Sequence, residues 1–267
     1  MLVRYKAKKQ HLIITMISYF RKIRHKLIGK GNLSKYFFYA IGEITLIVIG
    51  ILLALYLDNL NSEKKIRALE IKILYELNSN LSSSIKSFER AIQSEQVYLK
   101  NNLLILDFLD NNKPYDESLD IAFGTYFWTI TSNPISGGYD YLKSKGIDLI
   151  SNDSLRQNIS YLFENEFSIL KNENEVWANN LQQNISYPYH VTHFRNYFLG
   201  DIDQENNEYA KPNEYEALLE DQQFKSINAE IISNRRWNIN SLEKIISDTR
   251  GLMTQIDNEI RNLENKK

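Results

Sequence analysis

Residues 39–61 read YAIGEITLIVIGILLALYLDNLN, and in this apolar run Glu43 is the only charge before Asp58. From Tyr36 to Leu57 there are 22 residues carrying that single charge. At about 1.5 Å per residue, a helix of that length reaches ~33 Å, enough to cross a hydrocarbon core of about 30 Å. The flanks give the run a direction. Residues 1–42 hold ten Lys and Arg and no acid, so they carry +10; the whole chain is -1, and the other 225 residues therefore carry -11. Lys and Arg next to a span mark its cytoplasmic side, which puts the N-terminus inside and residue 58 onward outside. A cleaved signal peptide would have an apolar region of only ~7 to 15 residues ending in a small-residue site, so an uncleaved signal anchor fits this pattern better.

The total of 267 residues includes no cysteine, which removes disulfides, thiolate metal sites and cysteine nucleophiles together. Before the span, residues 12–28 place Ile13, Met16, Ile17, Phe20, Ile23 and Leu27 at three- and four-residue spacings around Arg21, Lys22, Arg24 and Lys26. This pattern predicts a basic amphipathic helix whose four cations contact anionic lipid headgroups. Met16 is an alternative start to Met1.

Beyond the span, residues 60–110 contain no Pro and no Gly, and Ile66, Leu69, Ile73, Leu77, Leu81, Ile85, Phe88, Ile92, Leu99, Leu103 and Leu106 step by three and four. One long amphipathic helix is expected, continuous with the span and stopped at Asn111-Asn112-Lys113-Pro114. A second helical stretch runs from Glu117 to about Thr131. The segment 136–164 reads as a short helix closed by Gly146 and a new helix capped by Asn152 or Asp153. That helix continues through Leu155, Ile159, Leu162, Ile169, Trp177, Leu181 and Ile185 until Pro188 kinks or ends it. After an acidic, polar loop at 200–213, a last helix spans about 214–264. Strand signals are nearly absent, and the pattern is that of an up-and-down bundle.

Glu43 shares a helix stripe with Gly50 and Ala54, which lie within about 20° of it at 100° per residue. A small-xxx-small pair beside an intramembrane carboxyl suits close helix packing, with a hydrogen bond crossing the contact and Tyr39 one turn earlier as a local donor. The alternative is a carboxyl drawn toward the headgroups beside small residues of no special role.

In the segment SYPYHVTHFRNYF, residues 186–198, His190 and His193 are three apart, with Asp201 and Asp203 following. They form a weak zinc candidate without a third histidine outside the basic arm, and a plain aromatic-rich helix end is the better explanation of them. Phe123, Tyr126, Trp128, Tyr139 and Tyr141 can line a small-molecule pocket or pack a core. No phosphate loop, nucleophile elbow or HExxH motif occurs, and acids on long helices are ordinarily solvated.

The stretch Met16–Lys65 resembles the opening of an uncharacterised Bacteroidota family of single-pass membrane proteins, domain of unknown function 6090. The similarity is carried by Phe20-Arg21-Lys22-Ile23-Arg24, Tyr39-Ala40-Ile41-Gly42-Glu43-Ile44 and Val48-Ile49-Gly50-Ile51, and later by LKSKGIDLISNDSLR at 142–156. Where that family has Gln-x-Asn-Asn-Trp-Asn after its span, this chain has Tyr56-Leu57-Asp58-Asn59-Leu60-Asn61, and residues 1–15 look like an added extension. The resemblance implies a Gram-negative inner membrane with the bulk of the chain in the periplasm, favours the Met16 start, and supplies no activity.

The expectation is thus an all-α chain: a basic cytoplasmic arm (1–35), a transmembrane helix (36–57) and a periplasmic antiparallel helical bundle (58–267) with a long juxtamembrane helix. Its expected role is non-catalytic sensing or protein interaction, without cofactor or nucleic acid. Membrane lipid and either a homo-oligomer or a partner membrane protein are the expected contacts. A structural subunit of an envelope complex, docking through Glu43, Gly50 and Ala54, is the alternative, and a periplasmic metal-dependent enzyme a remote one.

Overall fold

A computed structural model describes residues 33–172, 179–198 and 208–265, and 83% of these are helical. Among the described residues the fold is all-α apart from one two-stranded sheet. The candidate headgroup residues Arg21, Lys22, Arg24 and Lys26 lie outside the described residues. Helix α1 (Leu33–Asp110) contains both the apolar run and the amphipathic stretch, and the chain divides into two compact units at Ile66 and Arg67.

In the first unit α1 is apolar enough over its length to cross a membrane, and its most apolar window has no buried residue. Within it Thr45 returns its hydroxyl to the Ile41 carbonyl at 2.9 Å, so that polar group is satisfied inside the helix.

The second unit is built on two long helices, α1 from Arg67 and α9 (Gln222–Asn265). Their buried positions recur every seven residues, the period that keeps one stripe facing a partner helix. On α1 the buried stripe is Leu74, Leu81, Phe88, Glu95, Asn102 and Leu109; on α9 it is Asn228, Arg235, Leu242, Thr249, Ile256 and Leu263. Cross-links run in opposite order along the two helices: Tyr75 to Glu264 at 3.1 Å, Asn78 to Asp257 at 2.6 Å, Arg250 to Glu89 at 2.6 Å, and Asn102 to Asn228 at 2.7 Å. The helices are therefore antiparallel. The expected stripe on α1 needs adjustment at its far end, where Leu103 is exposed and Ile105 and Leu109 are buried instead.

At the end of α1 the Asn111 Nδ2 donates to the Asp107 carbonyl at 2.9 Å, Asn112 turns the chain at φ 46°, and Pro114 keeps the helix from resuming. Helix α2 (Leu119–Thr125) is shorter than the stretch to Thr131 read from sequence, because the Tyr126 and Trp128 carbonyls are taken by Arg235 of α9 and not by a further helical turn. Helix α3 (Gly137–Lys145) ends at Gly146, whose φ of 98° suits glycine, and a 3₁₀ turn (Ile147–Leu149) leads to α4 (Asp153–Tyr161). Asn152 is its cap, accepting the Leu155 amide at 3.1 Å.

A π-helical turn (Leu162–Glu166) joins α4 to α5 (Phe167–Asn172), and a second (Gln182–Ser186) joins α6 (Asn179–Leu181) to α7 (Tyr187–His193). Each inserts one residue into the helical phase. Buried Leu170 therefore follows Leu162, while Ile169, expected inside, is exposed; likewise Ser186 is buried and Ile185 exposed. Pro188 corrects a further expectation. It sits where the π turn passes into α7 and the helix runs on through it to His193, so it does not end the helix.

Strands β1 (Phe194–Phe198) and β2 (Glu208–Pro212) pair antiparallel, Phe194 opposite Pro212 and Phe198 opposite Glu208. The expected helix end and polar loop are thus partly sheet. Strand β2 lies against α2 at Gly124, where an added Cβ would sit 2.1 Å from the Glu208 carbonyl oxygen; only hydrogen fits. Helix α8 (Tyr215–Glu220) is separated from α9 at Asp221, whose carboxylate accepts the Gln223 and Phe224 amides at 2.8 and 3.1 Å and so caps α9. The single helix expected over 214–264 is two.

Two cores result. One is mostly aliphatic, gathering Leu77, Leu81, Phe88, Leu142, Ile159, Leu242 and Ile256. The other is aromatic, with Phe123, Tyr126, Phe127, Tyr189, Phe194 and Phe224.

Candidate functional site

Along the span the stripe stands open. Gly50 and Ala54 are exposed, Glu43 is half-exposed, and a Cβ added at Gly50 meets nothing within 4 Å. The Tyr39 side chain lies outside the described residues. Among the described residues nothing occupies the Gly50 position, which is the arrangement that a second helix needs in order to approach backbone to backbone.

In the second unit the most concentrated polar chemistry lies on the buried stripes of α1 and α9. The Arg235 guanidinium, 3% exposed as a residue, gives Nη1 to Glu95 Oε2 at 2.5 Å, Nε to Asn102 Oδ1 at 2.9 Å, and Nη2 to the carbonyls of Tyr126 and Trp128 at 3.1 and 2.5 Å. Asn238 donates to Glu95 Oε1 at 3.0 Å, and Asn102 donates to Asn228 Oδ1 and to the Tyr126 carbonyl. Burial lowers the Arg235 pKa while the Glu95 charge opposes that shift, and the Tyr98 ring lies 5.1 Å from the guanidinium carbon. The ion pair is compensated on every side, as a charge in this setting must be. Sequence reasoning placed such acids on solvated faces, which is wrong for Glu95, Glu70, Asp120 and Glu259, all buried. A signal was present: Glu95 and Asn102 follow Phe88 by seven and fourteen residues on the apolar stripe.

Beside it a cavity of about 20 Å³, room for one water, is lined by Glu95, Phe127, Trp128, Gln182, Ser186 and Arg235. The Nε1 of its lining residue Trp128 is buried without a hydrogen-bond partner among the described residues.

Asp120 anchors the sheet. Tyr115 and Tyr197 both donate their hydroxyls to its buried carboxylate, and Lys211 Nζ lies 3.5 Å away, stacked over both rings. Burial and the Asp120 carboxylate raise both tyrosine pKa values, so these hydroxyls stay protonated as donors.

The two histidines are engaged separately. His190 is 1% exposed, gives Nε2–H to Asn196 Oδ1 at 2.6 Å, and packs against Phe127 and Phe194 at centroid distances of 4.4 and 5.2 Å. Burial lowers its pKa. His193 gives Nδ1–H to the Tyr189 carbonyl at 3.0 Å and stacks on the Tyr189 ring at 4.0 Å. Among the described residues no group of three or more His, Asp or Glu is gathered to hold a metal ion. Asp201 and Asp203 lie outside the described residues. The five aromatics weighed as a pocket divide between the cores: Phe123 and Tyr126 in one with Trp128 against it, Tyr139 in the other with Tyr141 against it.

Comparison with protein-family models, with curated proteins and with solved structures found no match to the chain.

Proposed function

We propose that the chain is a single-pass inner-membrane protein of a Gram-negative cell, related to the Bacteroidota family it resembles. Residues 36–57 span the bilayer, residues 1–35 lie in the cytoplasm, and residues 58–267 form a periplasmic antiparallel helical bundle. The bundle acts as a non-catalytic sensing or protein-interaction module. The observation that carries this reading is the exposure of the apolar run: Phe38, Leu46, Ile49, Leu53 and Leu57 each leave more than half of their surface uncovered. Fully burying each such side chain is favourable by about 1.5–3 kcal/mol, so a continuous band of them calls for an apolar medium, and the +10 arm beside it selects the cytoplasmic side. Alkaline phosphatase fused at the C-terminus is expected to be active, and the chain to resist carbonate extraction. A reporter folded only in the cytosol, or release into the aqueous fraction, refutes the reading.

The open Gly50 and Ala54 positions favour a second reading, in which the chain is a structural subunit docking through Glu43, Gly50 and Ala54. Gly50→Leu should then abolish cross-linking between membrane helices; unchanged cross-linking rules it out.

A further inference from the structure

Between the π turn with its following helix α5 and helix α9 runs a groove whose upper part encloses about 210 Å³ and is lined by Tyr161, Glu166, Ile169, Leu170, Trp237 and Lys244. Three large apolar or aromatic side chains in it are left open, Tyr161 at 59%, Ile169 at 56% and Trp237 at 43%. Ile169 is there because the π turn moved it off the buried face. The same turn carries Glu166, whose side chain is only 11% exposed. Its Oε1 takes the Lys244 ammonium at 2.6 Å, while its Oε2 is buried with no hydrogen-bond partner among the described residues. A carboxylate oxygen shut away without a donor is a costly arrangement that a ligand donor would relieve. Lys244 holds the carboxylate loosely, through Oε1 alone. That side chain is 65% exposed and already holds a second partner, Asp248 Oδ2, at 2.7 Å. Swinging toward Asp248 keeps Lys244 paired and opens Glu166. The ionisable chains lining the groove and its lower extension are Glu166, Asp248 and Lys244 with the Tyr161 phenol, which leaves a net negative charge beside aromatic walls. That combination attracts organic cations.

We propose that this groove binds a small primary ammonium compound with a compact hydrocarbon tail. Glu166 takes the ammonium in place of Lys244, and Trp237, Ile169 and Leu170 take the tail. The site lies wholly within residues 158–255 and does not depend on the membrane reading.

The test is fluorine NMR on the full chain, labelled with fluorinated tryptophan and held in zwitterionic lipid nanodiscs, titrated with cyclohexylmethylamine at neutral pH. Three tryptophans give three signals, and Trp237→Phe assigns the relevant one. The Trp237 signal is expected to shift saturably with the amine and not with the neutral isostere cyclohexylmethanol. Glu166→Gln should weaken binding about tenfold or more, since a hydrogen bond to a charged group is lost. Lys244→Gln alters an exposed side chain and removes the competing ammonium, so it should tighten binding. A structural lysine would show no such gain. Equal binding of the alcohol, absence of saturation, unchanged affinity in a folded Glu166→Gln, or weaker binding in Lys244→Gln each overturns the proposal.

Discussion

Leu52 and Leu77 occupy the same helix, yet one is 60% exposed and the other 0%. Around Leu52 every side of α1 is apolar and none of the described residues covers it. Around Leu77 the apolar residues are confined to stripes repeating every seven positions, and they are buried in a core shared with α3, α4 and α9. A helix that is apolar all round and uncovered requires a different solvent from one with a single covered stripe, so the two halves of α1 record two environments in their residue spacing alone.

The largest departure from that contrast is the polar interruption of the covered stripe, and it gives the largest expected effect. Arg235→Met leaves Glu95 charged and unpaired in the core and should cost about 3–5 kcal/mol in urea unfolding of the detergent-solubilised chain followed by near-ultraviolet circular dichroism. Glu95→Leu combined with Arg235→Met should recover most of the loss; a double variant as unstable as the single one would show that the apolar stripe cannot replace the pair. Next, Leu77→Ala should cost about 2–5 kcal/mol in the same assay, whereas Leu52→Ala should leave the transition unmoved. Equal losses would erase the distinction between the two halves. Gly124→Ala forces a methyl against the Glu208 carbonyl and should cost about 1–3 kcal/mol, read as a lower unfolding midpoint.

The smallest effect is one of pH. Because burial lowers the His190 pKa, the unfolded chain binds the proton more readily, near a pKa of about 6.5. The contribution of His190 is therefore intact above that value and declines as pH falls through it, with a slope of at most about 1.4 kcal/mol per pH unit until the lower folded pKa is passed. His190→Gln should remove that slope between neutral and acid pH; an identical profile in the variant would assign the acid sensitivity elsewhere.

Much of this architecture is legible in residue spacing. The period on α1 and α9, the Asn111–Pro114 stop, the Gly146 closure and the Asn152 cap all rest on local rules, and a local rule acts on a few neighbouring residues. The features that escaped depend on distance or on phase. Strand β1 pairs with residues 10 to 18 positions away across its register, and nothing within Phe194–Phe198 alternates apolar with polar to announce it. A π turn adds one residue, and composition does not record an insertion; only the misplaced Ile169 and Ile185 betray it. Arg235 and Glu95 stand 140 positions apart, so their pairing is invisible to any local reading, although each falls on an apolar stripe. At the Glu43, Gly50 and Ala54 stripe the residue types and their shared face were legible from helical spacing, while the exposure of Gly50 and Ala54 needed three dimensions.

Asn102 and Arg235 have a consequence for motion. Together they bind α1, α9 and the carbonyls after α2 at one height, and displacing α9 by a single turn, about 5.4 Å, would strand a guanidinium, a carboxylate and two amides at once. Piston-like sliding of these two helices is thereby latched out, and the pair can tilt or rotate only as one body.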